Sequence, residues 1–247
     1  MAVSAPRPAV RACLFDMDGL LINSEDIYSE VTNSVLKDHG KPALPWHIKA
    51  SLQGLPGTAA TAKFLEWSNL PYTPEELYKE MTRRQEGEWK NTKPMPGSHE
   101  LLQRLVQKRI PIALASSSHH GTYRLKTAHL EDMFALFGEH KVLGDDPRIP
   151  PGKGKPAPDI WQIALKSLND AMLAAGEITT PIAPEECLVF EDGIPGVKGA
   201  LAAGCQVVWV PNPEILSLYK DNTESIVGPM GDVLISLEDL DYAKYSL

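Results

Sequence analysis

The chain has 247 residues, of which 43% are hydrophobic and 23% charged, and its formal net charge is -8. That length buries a large core, in one sizeable domain or one domain with an insert. An acidic chain without clustered Lys and Arg lacks the electrostatic footprint of a nucleic-acid binder, and no apolar run approaches the roughly 20 residues that span a bilayer.

The N-terminus, Met1-Ala2-Val3-Ser4-Ala5-Pro6-Arg7-Pro8, has two prolines and no apolar stretch of the kind a secretory leader needs. The expected location is cytoplasmic. Cys13, Cys187 and Cys205 lie in three separate apolar runs, so they read as small buried hydrophobes, not as a disulfide framework.

Val10 to Phe15 is a short apolar run that ends in acids, and it predicts a fully buried strand. From about Ser24 to Lys93 no buried strand is evident. Apolar residues recur at helical spacing at Tyr28, Val31, Val35 and Leu36, and again around Ala59, Ala62, Lys63 and Leu65. Thr73-Pro74-Glu75-Glu76 has the form of an N-cap followed by Pro at the first helical position. Residues 24–93 are therefore expected to form a helical insert, with crossings near Asn23-Ser24 and Lys93-Pro94 acting as hinges.

The alternating pattern resumes at Ser98. Leu101, Leu102, Leu105 and Val106 mark a helix, and Ile110 to Ala115 a second buried strand closed by Ser116-Ser117-Ser118. Lys141 to Gly144 suggests a short strand. Ile160, Ile163, Ala164 and Leu168 mark a helix after Lys155. Ala171 to Pro184 reads as a helix end and a surface loop. Cys187 to Phe190 and Val207 to Val210 are further strands, and Gly204 is placed to cap the helix between them. Buried strands alternating with helices predict an α/β fold, a parallel sheet covered by helices on both faces. Residues 1–23 and 94–247 make up this core. The pattern leaves open whether the tail from Glu214 packs or frays; Asp239-Leu240-Asp241 reads as a solvated acidic patch.

Ligands of open parallel sheets bind beyond the carboxyl ends of the strands. The strand assignments bring Asp16, Asp18, Ser116, Glu191 and Asp192 to one such edge, and Lys155 can join from the loop before its helix. Asp16 and Asp18 stand two apart before Gly19, and two carboxylates this close repel unless a cation lies between them. Magnesium, a hard ion that prefers oxygen, suits them. One carboxylate can attack phosphorus; the other can give a proton to the leaving oxygen and take one from water. A solvated loop with two acids is the plain alternative for this pair alone. The later acids of a calcium-binding loop are missing. Ser116 and the adjacent Ser117 can bind a phosphate oxygen through hydroxyls and backbone N–H groups. Lys155 supplies positive charge to a transferring phosphoryl group. Pro156 directly after Lys155 breaks the Gly-Lys-Ser/Thr pattern of a nucleotide phosphate loop. Burying Glu191 and Asp192 at a strand end costs several kcal/mol without a cation or hydrogen bonds. Asp192 as a metal ligand resolves that cost, with Glu191 binding directly or through water. His119-His120 reads as a helix start or a substrate-facing pair, and the remaining histidines show no zinc spacing.

These four segments, Leu14 to Gly19, Ala113 to Ser117, Gly154 to Pro156 and Val189 to Gly193, resemble the four motifs of the haloacid-dehalogenase-like hydrolase superfamily. The resemblance runs from about Arg11 to Pro211. The position of the insert is similar to that of members with a helical cap of the first type. The resemblance implies a Rossmann-like core with a mobile cap, Asp16 as nucleophile, Asp18 as acid/base, and Ser116 and Lys155 as phosphate binders. It implies magnesium held by Asp16, the backbone carbonyl of Asp18, and Asp192. Asp18 argues against a dehalogenase, because a halide leaving group needs no proton. A phosphomutase of the beta-phosphoglucomutase type holds a second phosphate with a basic cap residue, whereas Leu52-Gln53-Gly54-Leu55-Pro56-Gly57-Thr58 has none. Asp-Met-Asp-Gly-Leu-Leu, Val-Leu-Gly-Asp-Asp-Pro and Cys-Leu-Val-Phe-Glu-Asp are similar to the pseudouridine-5'-phosphatase group. Phosphatases of glycerol 3-phosphate and of 2-deoxyglucose 6-phosphate share the core motifs. The expectation is a magnesium-dependent phosphatase of a small phosphorylated metabolite, a monomer or weak dimer, with no nucleic-acid or membrane partner.

Overall fold

The computed structural model describes residues 7–55, 57–229 and 231–247; the reading of the first six residues lies outside them. Strand β1 (Ala12–Phe15) is followed by helices α1 (Glu25–Asp38), α2 (Trp46–Leu52), α3 (Gly57–Ser68) and α4 (Pro74–Glu86), and by a 3-10 turn at Trp89–Asn91. Then come α5 (Ser98–Gln107), β2 (Ile112–Ala115), α6 (His120–Thr127), α7 (Glu131–Phe134) and β3 (Lys141–Val142). The chain continues through α8 (Asp159–Ala174), β4 (Cys187–Glu191), α9 (Ile194–Ala202) and β5 (Gln206–Trp209). It ends with α10 (Pro213–Tyr219), α11 (Thr223–Val227), β6 (Asp232–Val233) and α12 (Tyr242–Tyr245).

The six strands form one sheet in the order β3-β2-β1-β4-β5-β6, and every pairing is parallel. The fold is the expected α/β sheet with helices on both faces. Strand alternation divides the core in two. Cys13 and Phe15 face a cluster that includes Leu101, Leu102 and Leu105 of α5, and the Phe15 and Phe190 rings stack at 4.8 Å. Ala12 and Leu14 face a cluster with Ile160, Trp161 and Ala164 of α8 and Val197 and Ala200 of α9. Both faces being buried explains why β1 and β2 are continuous apolar runs and why β4 is apolar up to Glu191.

Helices α1 to α4 gather around an apolar cluster of their own, Val35, Leu36, Phe64, Leu70 and Leu77. The buried residues of α3 are Thr61, Phe64 and Ser68, with Leu65 and Trp67 packed partly buried against the cluster, whereas Ala59, Ala62 and Lys63 of the expected register are exposed. Thr73 and Glu76 form a reciprocal capping box with Pro74 at the first position of α4. The two chain crossings lie side by side, joined by Asn23 N–H to the Lys93 carbonyl at 2.9 Å and Met95 N–H to the Leu21 carbonyl at 2.9 Å.

Gly204 takes a positive φ of 87° just past α9. Its N–H bonds the Leu201 carbonyl and Cys205 N–H bonds Ala200, a Schellman ending. The tail packs. Arg7 and Lys244 reach Asp232 at 2.6 and 2.7 Å and Leu240 is buried, while Asp239 and Asp241 are solvent-exposed as expected, Asp241 also capping α12. Strand β6 is too short to have announced itself in the sequence. No described helix is long and apolar enough to cross a membrane.

Candidate active site

Strand register builds the site. Phe15 pairs with Leu114 on one side and Phe190 on the other, so Asp16 comes level with Glu191 and with Ala115, one residue before Ser116. After Asp16 the chain turns sharply: Leu21 and Ile22 N–H groups bond the Met17 carbonyl, and Gly19 N–H bonds Ile22. Gly19 has φ +81°, and a Cβ there would collide with the Asp192 carboxylate and with Glu25. This turn therefore demands glycine both for its backbone and for its space.

Carboxylate oxygens of Asp16, Glu191 and Asp192 all lie within 4.8 Å of one another, and all three residues are buried. Lys155, with a fully buried side chain, donates to Asp16 at 2.5 Å and to Glu191 at 3.1 Å and lies 4.5 Å from the Trp161 ring centre. Three carboxylates facing one ammonium leave two negative charges together. Burial, with the Asp16 charge beside it, pushes the Glu191 carboxyl up to about 8. Burial also raises Asp16, against the pull of Lys155. Asp192 is raised well above the ordinary carboxylate range, by burial and then by the charges of Glu191, Asp16 and Glu25. Its Oδ1 is buried without a hydrogen-bond partner. An orphaned carboxylate oxygen beside two more carboxylates fits a hard divalent cation.

The Asp18 side chain points away from this cluster. Its Oδ1 accepts from Ser24 at 2.6 Å and from the Lys126 ammonium; its Oδ2 accepts from Ser118 at 2.7 Å, with Ser116 at 3.5 Å. Burial alone would raise this carboxyl, but Lys126 and these hydroxyls hold it below its ordinary value. Ser116 Oγ also accepts from the Ser118 N–H, and the Ser117 hydroxyl donates to the Gly54 carbonyl at 3.3 Å. His119 is the N-cap of α6 and lines the cavity, while the His120 N–H bonds Asp145 at 2.9 Å.

Above these groups lies a cavity of about 210 Å³ between the sheet edge and helices α1 to α4. Tyr28, Phe64, Tyr78 and Trp89 contribute rings, and Thr61, Thr82 and Gln85 neutral polar groups. Lys49 is the one Lys or Arg among its described lining residues, and it is held by the Glu25 carboxylate at 3.4 Å and by Ser29 at 2.6 Å. Gln53 donates to Asp192 Oδ2, so the loop that was noted for lacking a cation touches the acid cluster through an amide instead.

The haloacid dehalogenase-like hydrolase profile matches residues 10–204, which contain every one of the strand-end residues just described. The chain belongs to this family. Members similar to this chain are named as phosphatases, and the chain is a phosphatase of that family. It is 49% identical to a probable pseudouridine-5'-phosphatase of Saccharomyces cerevisiae, over 97% of this chain and 98% of the relative. It is 33% identical to (DL)-glycerol-3-phosphatase 2 of Arabidopsis thaliana, over 94% and 92% of the two chains. A family hydrolase from Deinococcus radiodurans with bound phosphate and sodium superposes with a TM-score of 0.67 at 28% identity, covering 95% of each chain. The clustered acids come from the ends of β1 and β4, distant in sequence, and Lys155 from the segment before α8. Ser24, Gln53, Ser118 and Lys126 escaped the sequence reading because each is an ordinary polar residue in a loop or helix; only folding places them on the acids.

Proposed function

We propose that this chain is a magnesium-dependent phosphatase acting through an aspartyl phosphate, with pseudouridine 5'-phosphate as its substrate. The observation that carries the reading is Asp16 at the floor of the cavity, its carboxylate bound to Lys155 and its neighbours two further acids with an unpartnered oxygen. Asp16, Asp192 and the backbone carbonyl of Asp18 would hold the ion, with Glu191 beside them. When bound, the cation offsets the carboxylate charges and those of the incoming phosphoryl oxygens.

An Asp16 oxygen attacks phosphorus, and the bond to the leaving oxygen breaks. Asp18 protonates that oxygen, then takes a proton from the water that releases phosphate from Asp16. Ser116, the backbone beyond it and Lys155 position the phosphoryl oxygens, and Ser117 orders the loop by gripping Gly54. Residues 24–93 act as a cap that holds the leaving group and keeps bulk water out of the first step. Four aromatic rings in the lining favour a flat ring on the leaving group over a three-carbon polyol. Lys49 is already engaged by Glu25 and Ser29, which argues against a second phosphate and hence against a phosphomutase. The substrate is a metabolite met in the cytoplasm, and the protein works as a monomer or weak dimer.

A phosphate-release screen over nucleoside 5'-phosphates, sugar phosphates and polyol phosphates tests this reading. Fastest turnover of pseudouridine 5'-phosphate, abolished by a chelator, supports it. Preference for glycerol 3-phosphate or a hexose phosphate replaces the substrate. Indifference to the chelator removes the metal assignment.

A further inference from the structure

Lys126 takes no part in the phosphoryl transfer just described, yet its placement is among the most constrained in the molecule. Its side chain is wholly buried. An ammonium withdrawn from water costs several kcal/mol unless it is paired and hydrogen-bonded. Here its three donors are all used, on Asp18 Oδ1, on the Tyr28 hydroxyl at 2.8 Å and on Ser118 Oγ at 3.0 Å. The rings of Tyr28 and Trp89 flank it, with centres 4.7 and 4.5 Å away and packed edge to face on each other. Its backbone carbonyl accepts from Thr92 at 2.8 Å. Tyr28, Trp89 and Thr92 belong to the helical insert, whereas Ser118 and Lys126 belong to the sheet-bearing part. The ammonium is therefore fixed from both sides of the paired crossings at Asn23 and Lys93.

The result for Asp18 is a division of labour between its oxygens. Oδ1 is occupied by Lys126 and Ser24; Oδ2 faces Ser118 and Ser116, on the phosphate side. We propose that Lys126 is a positioning residue for the acid/base step, holding Oδ1 so that Oδ2 is the oxygen that exchanges the proton with the leaving group and then with water. The inference rests on the phosphatase reading of the same site. As the bond between phosphorus and the leaving oxygen breaks, its electron pair stays on that oxygen, and a proton that Asp18 Oδ2 has taken up as the substrate binds moves to it. The carboxylate left behind then accepts a proton from the attacking water. An alkoxide cannot leave well without that proton, whereas p-nitrophenolate leaves as a stable anion.

The test is Lys126→Met, which keeps the length of the side chain and removes its charge, with thermal melting as the check of folding. kcat/KM reports only the steps up to phosphorylation of Asp16, so it is measured for pseudouridine 5'-phosphate, glycerol 3-phosphate and p-nitrophenyl phosphate. The expected result is a loss of about 100-fold or more on the alkyl esters, against about fivefold or less on p-nitrophenyl phosphate. On the latter kcat should fall as well, with a burst of one p-nitrophenolate per active site, because water activation still needs a well-placed Asp18. Equal losses on alkyl and aryl esters, or no loss on either, overturn the inference. If the Met variant does not fold, Tyr28→Phe removes one of the acceptors of the ammonium and keeps the ring. It should show the same split at about tenfold on the alkyl esters, and a uniform effect overturns the inference equally. A wild-type chain that hydrolyses none of these esters overturns the phosphatase reading itself, which is a separate outcome.

Discussion

Replacing Asp192 by Asn should make the ion-free protein more stable while removing its response to magnesium. The side chain contributes one of three carboxylates whose oxygens lie within 4.8 Å of one another. Two unit charges at that separation repel by about 3 kcal/mol at an effective dielectric constant of 20. Asp192 has two such neighbours, and Lys155, committed to Asp16 and Glu191, offsets part of the sum. The net gain on removing the charge is then about 2–3 kcal/mol. The substitution suits the site sterically. An Asn oxygen still accepts from Gln53, and the amide N–H groups replace an Oδ1 that has no partner and faces carboxylates. The Trp209 bond to the Asp192 main-chain carbonyl, at 2.8 Å, is unaffected. In a chain of this size such a gain raises Tm by about 5–10 °C. Thermal melts of both proteins in a chelator above pH 8, where Glu191 has given up its proton, measure it, and the same melts with added magnesium should show a rise only for the parent. A variant no more stable than the parent in the chelator would refute the argument, because it would mean that the carboxylates do not repel one another in the folded protein.

Asp16→Asn should abolish turnover of every monoester while the far-ultraviolet spectrum stays unchanged; more than a few per cent of residual phosphate release rejects Asp16 as the nucleophile. Stability without metal should depend on pH in an unusual direction. The Glu191 carboxyl is raised from 4.5 to about 8, so the folded state holds that proton more tightly than the unfolded chain. Its contribution is complete below pH 4.5 and is lost as pH rises through 8, up to about 5 kcal/mol in all. Urea denaturation across that range, in chelator and in magnesium, should show the slope in the first and a flattened one in the second. Gly19→Ala should cost well over the ~1 kcal/mol of a left-handed alanine, because its Cβ also meets Asp192 and Glu25. Loss of magnesium-dependent activity ahead of any large drop in Tm would locate the damage at the acids, while full activity would contradict the crowding around the turn.

The sequence by itself determined the sheet and the identity of the acids. A strand buried on both faces must be apolar along its whole length, so a carboxylate at its end stands out, and Asp16, Glu191 and Asp192 could be read directly. The capping box at Thr73 and the glycine ending at Gly204 were legible for the same reason: each depends on residues within a few positions of one another. Tertiary structure alone decided what surrounds those acids. Lys126 lies 108 positions from Asp18 and Gln53 139 from Asp192, and neither carries a local signal of its partner. The same holds for Lys49, whose charge is spent on Glu25, and for the tail, where Asp232 gathers Arg7 and Lys244. Local periodicity records which face of an element is buried; the cost of burying a charge is met by whichever group the fold brings across, and that choice is made only when the chain closes on itself.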